Sequence, residues 1–187
     1  MNKYFKVSLT LATIASGAAL LIGLMNLATV GAIKTNKENK IKSGISKLYP
    51  NVKDYVAHDF HTFDEEGYDA NYSLPEYPHL KTAYVVNIEG GTSPGYVYST
   101  TGKNAYGQVD LLLSIKEGKI EKMFVVTNTE SYGPTLEENY IDLYNYGLLE
   151  HGLEDVQCGA TYGAKTVKEQ CDDALAHWNA NFGKEAE

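Results

Sequence analysis

The stretch VDLLLSIKEGKIEKMFVVT, residues 109–127, consists of two runs of apolar and β-favouring residues around a short polar connection. The runs cover residues 109–115 and 120–127, and each has the length and composition of a β-strand. The connection Lys116-Glu117-Gly118-Lys119 includes a glycine, which adopts the positive φ of tight hairpin turns without steric cost. The stretch therefore predicts a β-hairpin and an antiparallel sheet.

Two further strand-like runs precede this hairpin. Residues 83–88 are followed by the turn pair Gly90-Gly91 and then by residues 95–98, which predicts a second pair of strands. Residues 54–80 are rich in Tyr, Asp, Glu, Pro and Asn and show little periodicity. We expect them to form an irregular segment with at most short strands.

A helix is predicted near the carboxyl end of the chain. Thr166 and Glu169 have the form of a capping box that begins a helix. The apolar residues that recur on one helical face after this point are Val167, Cys171, Ala174, Leu175 and Trp178. Hairpins followed by one helix, without alternating strands and crossover helices, are typical of the α+β class. We therefore expect a small antiparallel sheet with a C-terminal helix packed on it.

An apolar run near the amino end indicates a membrane segment. Residues 7–33 contain no charged side chain and exceed the ~20 residues that a helix needs to cross the hydrocarbon core. We interpret them as a transmembrane anchor that follows a short tail, residues 1–6. A signal peptide cleaved near Val30-Gly31-Ala32 is the alternative, and the anchor is favoured because a signal peptide's apolar core usually spans only about 7–15 residues.

The segment after the apolar run, residues 34–50, has Ile41, Ile45 and Leu48 at helical spacing among lysines. It predicts a stalk helix that leads to a domain at residues 51–187. Lysines are more numerous after the apolar run than before it, which favours retention of the domain in the cytoplasm. A short tail followed directly by an apolar run is instead the usual form of an export signal. These residue patterns leave the orientation open.

Charge excludes one large class of function. All 16 basic residues are lysines, and arginine, which reads phosphates and base edges through two parallel hydrogen bonds, does not occur. After residue 33 the chain has 14 lysines against 24 acidic residues, which gives a net charge of −10. Such a chain repels a polyanion, so we expect no nucleic-acid partner.

Neither metal binding nor a disulfide framework is expected. His58 and His61 lie near the carboxylates of residues 64–66, but an acidic surface loop has the same composition, and we infer no metal site there. Cys158 and Cys171 are too few for a disulfide framework and do not form a C-x-x-C pair.

The residues just before the predicted C-terminal helix have the composition of a phosphate site. Gly159 and Ala160 allow close approach of the backbone, and the free amide groups at a helix start attract an anion. Thr161 adds a hydroxyl at the same point. Taken alone, Gly-Ala-Thr more often marks a helix cap or a turn. The phosphate interpretation therefore depends on the rest of the chain.

Three segments of the chain resemble one family. Cys158-Gly159-Ala160-Thr161 matches three of four positions of a Ser/Thr-Gly-Ala-Thr motif. Residues 130–136, Glu-Ser-Tyr-Gly-Pro-Thr-Leu, occupy the place of a Glu-Thr-Pro-Gly-Leu-Gly-like loop, and Ala105-Tyr106-Gly107 partly matches a Gly-Tyr-Gly-like element. Over most of its length the chain resembles the FMN-binding domain family, whose members occur in Rnf-type ion-translocating electron-transport complexes and in the related sodium-translocating NADH:quinone oxidoreductase.

This resemblance implies FMN joined covalently, through its phosphate, to the Thr161 hydroxyl. It implies a phosphate cradle at residues 158–160, flavin contacts from residues 130–136, and ring stacking by Tyr106 or Tyr132. The chain departs from the family at Cys158 and at Gly163, where Ser or Thr is usual, and the residue 130–136 loop is rearranged around Tyr132 and Pro134. The predicted cofactor-binding residues are Thr161, Cys158, Gly159, Ala160, Tyr162, Glu130, Ser131, Gly133, Thr135, Leu136 and Tyr106.

The resemblance also implies a cellular role. A magnesium-dependent FMN transferase would attach the cofactor, and the domain would lie outside the cytoplasm on a single-pass anchor in the cell membrane. The chain would then pass electrons among the membrane subunits of an Rnf-type complex as the FMN-bearing member of that complex. Because the flavin performs the redox chemistry, we expect no catalytic residue in the chain. Two alternatives stay open: a stand-alone FMN carrier for extracellular electron transfer or a reductase, and a tethered binding module without a cofactor.

Overall fold

The computed structural model of the protein describes residues 3–59, 76–91 and 93–183. The chain divides into two compact units, Met1–Lys40 and Ile41–Glu187. The first unit is helical, and the second contains a sheet with helices on it. This arrangement confirms the α+β class.

Helix α1, Lys3–Leu48, is one uninterrupted helix of 46 residues that includes both the predicted anchor and most of the predicted stalk. From Tyr4 to Lys40 its side chains are exposed, large apolar ones among them. A helix that exposes apolar side chains on all sides is typical of a lipid environment. α1 is long and apolar enough to span a membrane, which confirms that part of the prediction, although a signal peptide meets the same criteria.

Five antiparallel strands form one sheet in the order β1-β2-β3-β4-β5. Both predicted strand pairs are present, and the β4–β5 hairpin turns at Glu117 and Gly118, whose φ angles are 51° and 71°. Positive φ at both central residues matches the right-handed twist of the flanking strands. The strands are β1 Val52–Asp59, β2 Leu80–Ile88, β3 Gly95–Asn104, β4 Gly107–Lys116 and β5 Lys119–Asn128.

Strand β1 corrects the sequence-based expectation for its region. It pairs with β2 and occupies the start of the segment predicted to be irregular, so that prediction is wrong there. Because β1 is an edge strand with mostly exposed side chains, it lacks the alternation of apolar and polar residues that reveals a strand. His58 lies in β1, whereas His61 and residues 64–66 lie outside the described residues.

Helices follow the sheet along the chain. A helical segment comprises α2 Gly133–Leu136, a π-helical turn Glu137–Ile141, and α3 Asp142–Asn145. The Asn145 side chain accepts from the Met123 amide at 2.8 Å and donates to the Met123 carbonyl at 2.9 Å. These bonds cover part of the free edge of β5, as a neighbouring strand would. A 3₁₀ turn at Gly152–Glu154 precedes α4, Thr161–Asn181.

Helix α4 packs on one face of the sheet, as predicted, but it begins earlier than the predicted capping box. Thr166 lies inside the helix and its hydroxyl donates to the Tyr162 carbonyl at 3.0 Å, so the capping-box prediction is wrong. The first turn contains the small, buried residues Gly163 and Ala164. Small residues contribute little to an apolar periodicity, so the sequence did not reveal this turn.

Each face of the sheet has its own core. The predicted apolar face of α4, including Val167, Cys171 and Ala174, is fully buried against the sheet, and both cysteines are free thiols. On the other face, Ile45 and Leu48 from the end of α1 pack into a second cluster with strand residues. The second compact unit is thus a three-layer arrangement in which α4 and the end of α1 cover opposite faces.

Candidate functional site

The start of α4 presents backbone donors without intrahelical partners beside Thr161. Ala160 is the N-cap, and its side chain makes no capping bond. The first hydrogen bond of the helix runs from the Ala164 amide to the Ala160 carbonyl at 2.9 Å. The amides of residues 161–163 therefore precede the intrahelical ladder and carry the partial positive charge of the helix terminus. Thr161 is the first helical residue, so the capping role considered for it from sequence belongs to Ala160.

Two glycines shape the backbone at this point. Gly159 has a φ of +91°, which a residue with a side chain rarely adopts, and it turns the chain into the helix. At Gly163 an added Cβ would lie 2.9 Å from Leu136 Cδ2 and 3.3 Å from Glu130 Oε1. Glycine at position 163, where the family has Ser or Thr, therefore lets the first turn of α4 approach Glu130 and Leu136 closely.

A pocket of about 290 Å³ opens at the start of α4. Its volume is at the small end of the ~300–1,000 Å³ range of ligand pockets. It brings together three segments that are distant in sequence: the β3–β4 turn, the loop after β5 and the start of α4. The lining residues are Tyr106, Glu130, Tyr132, Gly159, Ala160, Thr161, Tyr162 and Gly163.

Three tyrosines border this pocket and are largely exposed. The exposed fractions are 44% for Tyr106, 59% for Tyr132 and 61% for Tyr162. The ring centroids of Tyr106 and Tyr162 are 5.2 Å apart, with planes tilted by 42°. Aromatic faces that are not used in the core can stack on a flat ligand ring. The pocket thus combines an anion-attracting helix end with aromatic surfaces.

The loop after β5 is held against the β3–β4 turn by hydrogen bonds. The Ser131 amide and hydroxyl both donate to the Tyr106 carbonyl, at 3.1 and 3.2 Å. The Glu130 amide donates to Asn128 Oδ1 at 3.0 Å, and the Gly133 amide donates to the Glu130 carbonyl at 3.0 Å. The Glu130 carboxylate is therefore presented to the pocket by a fixed backbone.

The predicted site residues fall into two groups. Those that line the pocket are Tyr106, Glu130, Gly159, Ala160, Thr161 and Tyr162. Those that lie beside it are Cys158, Ser131, Gly133, Thr135 and Leu136. The Cys158 carbonyl accepts from Asn139 Nδ2 at 3.3 Å, and Thr135 Cγ2 lies 3.3 Å from the Cβ position of Gly159. Leu136 is fully buried, so it supports the pocket from behind.

An acidic groove of about 450 Å³ adjoins the pocket and shares Glu130 with it. Its other lining residues are Asn128, Gly133, Pro134, Glu137, Glu138 and Asp142. A negatively charged groove repels a phosphate, so the helix start is the favourable place for an anion here. Within residues 3–59, 76–91 and 93–183, no group of three or more His, Cys, Asp or Glu side chains is placed to hold a metal ion.

Two polar residues that the sequence did not single out as site residues connect the pocket segments. Asn104 hydrogen-bonds to Tyr106, Glu130 and Thr166, and Thr166 in turn bonds to Tyr162. The bond from the Tyr106 amide to Asn104 Oδ1 forms an Asx turn, which an Asn before a short polar connection could have indicated. The bonds to Glu130 and Thr166 have no local signal in the sequence.

The chain was compared with protein-family models and with curated proteins, and neither comparison gives a match. The short motifs around Thr161 and Glu130 therefore remain a resemblance. What bears on function is the geometry of the pocket, together with the apolar helix α1.

Proposed function

We propose that this chain is a membrane-anchored electron-transfer flavoprotein that carries FMN in a phosphoester bond to Thr161. One observation supports the proposal above all others. The Thr161 hydroxyl, the free amides of a helix start and three exposed tyrosines border a single pocket. A phosphate needs the first two features and a flavin ring needs the third.

The residues present suit the parts of FMN in different ways. The amides of residues 161–163 would hold the phosphate, and the linked Thr161 oxygen would fix its position. The pocket volume of about 290 Å³ suits the phosphate and the atoms next to it. Tyr106, Tyr132 and Tyr162 would contact the ring outside this volume. Bound FMN would supply the electron-transfer chemistry.

The attachment reaction is a transfer from FAD by a separate magnesium-dependent transferase. The Thr161 hydroxyl would displace AMP at the phosphorus next to the riboflavin part. One P–O bond of the pyrophosphate breaks, one bond from Thr161 Oγ to phosphorus forms, and the hydroxyl proton is released. The product carries the mass of one FMN less one water. Thr161 acts as an acceptor in this reaction, and the transferase is the catalyst.

The membrane segment gives the covalent bond a purpose. A noncovalent cofactor is lost where its free concentration is low, because occupancy follows mass action. We therefore place the domain outside the cytoplasm, on α1 as a single-pass anchor, with other membrane proteins of an Rnf-type complex as electron-transfer partners. A stand-alone exported carrier would use the same attachment site. Co-purification of the tagged full chain with other membrane proteins of such a complex would distinguish these two roles.

The attachment is tested by co-expressing the full chain with an FMN transferase and running a denaturing gel. We expect in-gel flavin fluorescence and the added mass given above, and both should be lost in Thr161→Ala. Thr129→Ala is the matched control, since Thr129 lies in the neighbouring loop and is not among the pocket-lining residues. An unlabelled wild-type chain, beside a known acceptor that is labelled, would contradict the proposal and favour a cofactor-free binding module.

A further inference from the structure

We propose that Asn104 is a positioning residue for the attachment of FMN at Thr161, an inference that rests on the function proposed above. Asn104 is the last residue of β3, directly before the turn that carries Tyr106. Its side chain contacts all three segments that build the pocket. It is not itself among the pocket-lining residues, so it would act through the groups that it holds.

The Asn104 amide uses its donors and its acceptor together. Its Oδ1 accepts from the Tyr106 amide at 2.7 Å, which fixes the β3–β4 turn. Its Nδ2 donates to the Glu130 carboxylate and, at 3.0 Å, to Thr166 Oγ1. The Thr166 hydroxyl in turn donates to the Tyr162 carbonyl at 3.0 Å. One side chain thus joins the turn, the loop after β5 and the first turn of α4.

The chemistry of these bonds requires an amide. An asparagine offers one acceptor and two N–H donors, which is the set that Tyr106, Glu130 and Thr166 need. An aspartate keeps the acceptor for Tyr106 but loses both donors, and it places a second negative charge beside Glu130. An alanine loses all three bonds. Asn104 is partly buried, so water would replace these bonds with less fixed geometry.

The bonds determine how the pocket is shaped. They hold Tyr106 and Tyr162 as neighbours with ring centroids 5.2 Å apart, and they hold Glu130 beside the helix start. Group transfer is sensitive to position, and a misplacement of about 1 Å can reduce a rate by about 100-fold. We therefore expect Asn104 to affect the rate of attachment more than the stability of the fold.

The test compares Asn104→Ala with Asn145→Ala in the full chain. Asn145 is the matched control because its side chain also bridges two elements by hydrogen bonds, at the β5 edge. With limiting transferase and FAD, we expect the labelling rate of Asn104→Ala to fall by about 10- to 100-fold. Asn145→Ala should label within about twofold of wild type, even if its Tm falls by a similar amount.

A second readout needs no flavin. Amide hydrogen exchange of the unlabelled chain, followed by NMR, should show faster exchange of the Tyr106 amide in Asn104→Ala and an unchanged rate in Asn145→Ala. Labelling of Asn104→Ala at the wild-type rate would overturn the inference, and so would an equal loss in both variants. If wild type is not labelled at all, the proposed function fails, and hydrogen exchange still decides whether Asn104 orders the turn.

A charge swap separates positioning from a general loss of structure. In Asn104→Asp with Glu130→Gln, the donor and acceptor of this pair are exchanged and the carboxylate moves to position 104. We expect Asn104→Asp alone to label slowly and the double variant to recover most of the lost rate. A double variant that labels no faster than Asn104→Asp, together with an unaltered Tyr106 amide, would also contradict the positioning role.

Discussion

The two ends of α4 both gather aromatic side chains, but they differ in burial. At the carboxyl end, the end cluster consists of Tyr77, Tyr96, Tyr98, His177, Trp178 and Phe182, and its members Tyr98, Trp178 and His177 are 0%, 6% and 8% exposed. At the amino end, the start cluster consists of Tyr106, Tyr132 and Tyr162, which are 44–61% exposed. Burial accounts for the first cluster. The position of the second is better explained by a ligand than by folding.

The geometry of the end cluster is that of a packed core. Tyr96 meets Trp178 edge to face at 6.1 Å, and Tyr98 meets His177 at 5.6 Å. The Tyr98 hydroxyl and His177 Nδ1 are hydrogen-bonded at 2.9 Å. Burial raises the pKa of Tyr98 well above its usual range, so this hydroxyl stays protonated. Such contacts contribute to stability through buried area and ring geometry.

Trp178→Ala should have the largest effect on stability. Removing a buried tryptophan costs about 3–5 kcal/mol because packing is lost and a cavity remains. Among the described residues, Trp178 Nε1 has no hydrogen-bond partner, so the loss should come from packing alone. Denaturant unfolding of the full chain in detergent, followed by circular dichroism, measures the change. A cost below about 1 kcal/mol would mean that the end cluster is not the stabilising one.

The pH dependence of stability should depend on His177 in the end cluster. Burial lowers the pKa of His177 below its ordinary value of 6.5, so the folded chain resists protonation more than the unfolded chain does. The unfolded state then binds more protons, and stability rises with pH in that range. The contribution is complete above pH 6.5 and is lost as the pH falls through the folded-state pKa.

We therefore expect the wild-type chain to have a lower Tm at pH 5.5 than at pH 7.5, and His177→Gln to reduce this difference. Thermal unfolding of both chains at the two pH values measures it. His151→Gln is the control, since His151 is exposed. An equal difference in wild type and His177→Gln would assign the acid sensitivity to carboxylates elsewhere.

The sequence predicted those parts of the fold whose signals are local. The β4–β5 hairpin was predictable because its turn needs Gly118, and the face of α4 because Val167, Cys171 and Trp178 follow a helical period. The edge strand β1 was missed because exposure on both faces removes the alternation that reveals a strand. The first turn of α4 was missed because Gly163 and Ala164 pack closely through small side chains.

The candidate site was predictable only in part. Thr161 and Glu130 were identified through short motifs, and the structure places both in one pocket. Asn104 could not be identified as their link, because its partners lie 26 and 62 residues further along the chain. Only the packing of α4 on the sheet brings these residues together. Burial also separates the two aromatic clusters, which the sequence does not distinguish by residue type.

The smallest change in stability is expected in the start cluster, and it sharpens the comparison most. Tyr162→Ala should alter the free energy of unfolding by no more than about 0.5 kcal/mol, because the side chain is 61% exposed. Tyr146→Ala is the matched control, since Tyr146 is 75% exposed and is not among the pocket-lining residues. We expect the two variants to be equally stable and only Tyr162→Ala to slow FMN labelling of Thr161.

Denaturant unfolding and the transferase assay measure these two quantities on the same preparations. A Tyr162→Ala variant as unstable as Trp178→Ala would make the start cluster a second core and would remove the case for a ligand there. Equal labelling of Tyr162→Ala and Tyr146→Ala would keep the anion end of α4 as the attachment site but assign no ring contact to Tyr162. A selective loss of labelling without loss of stability is the result expected if exposure at this end serves binding.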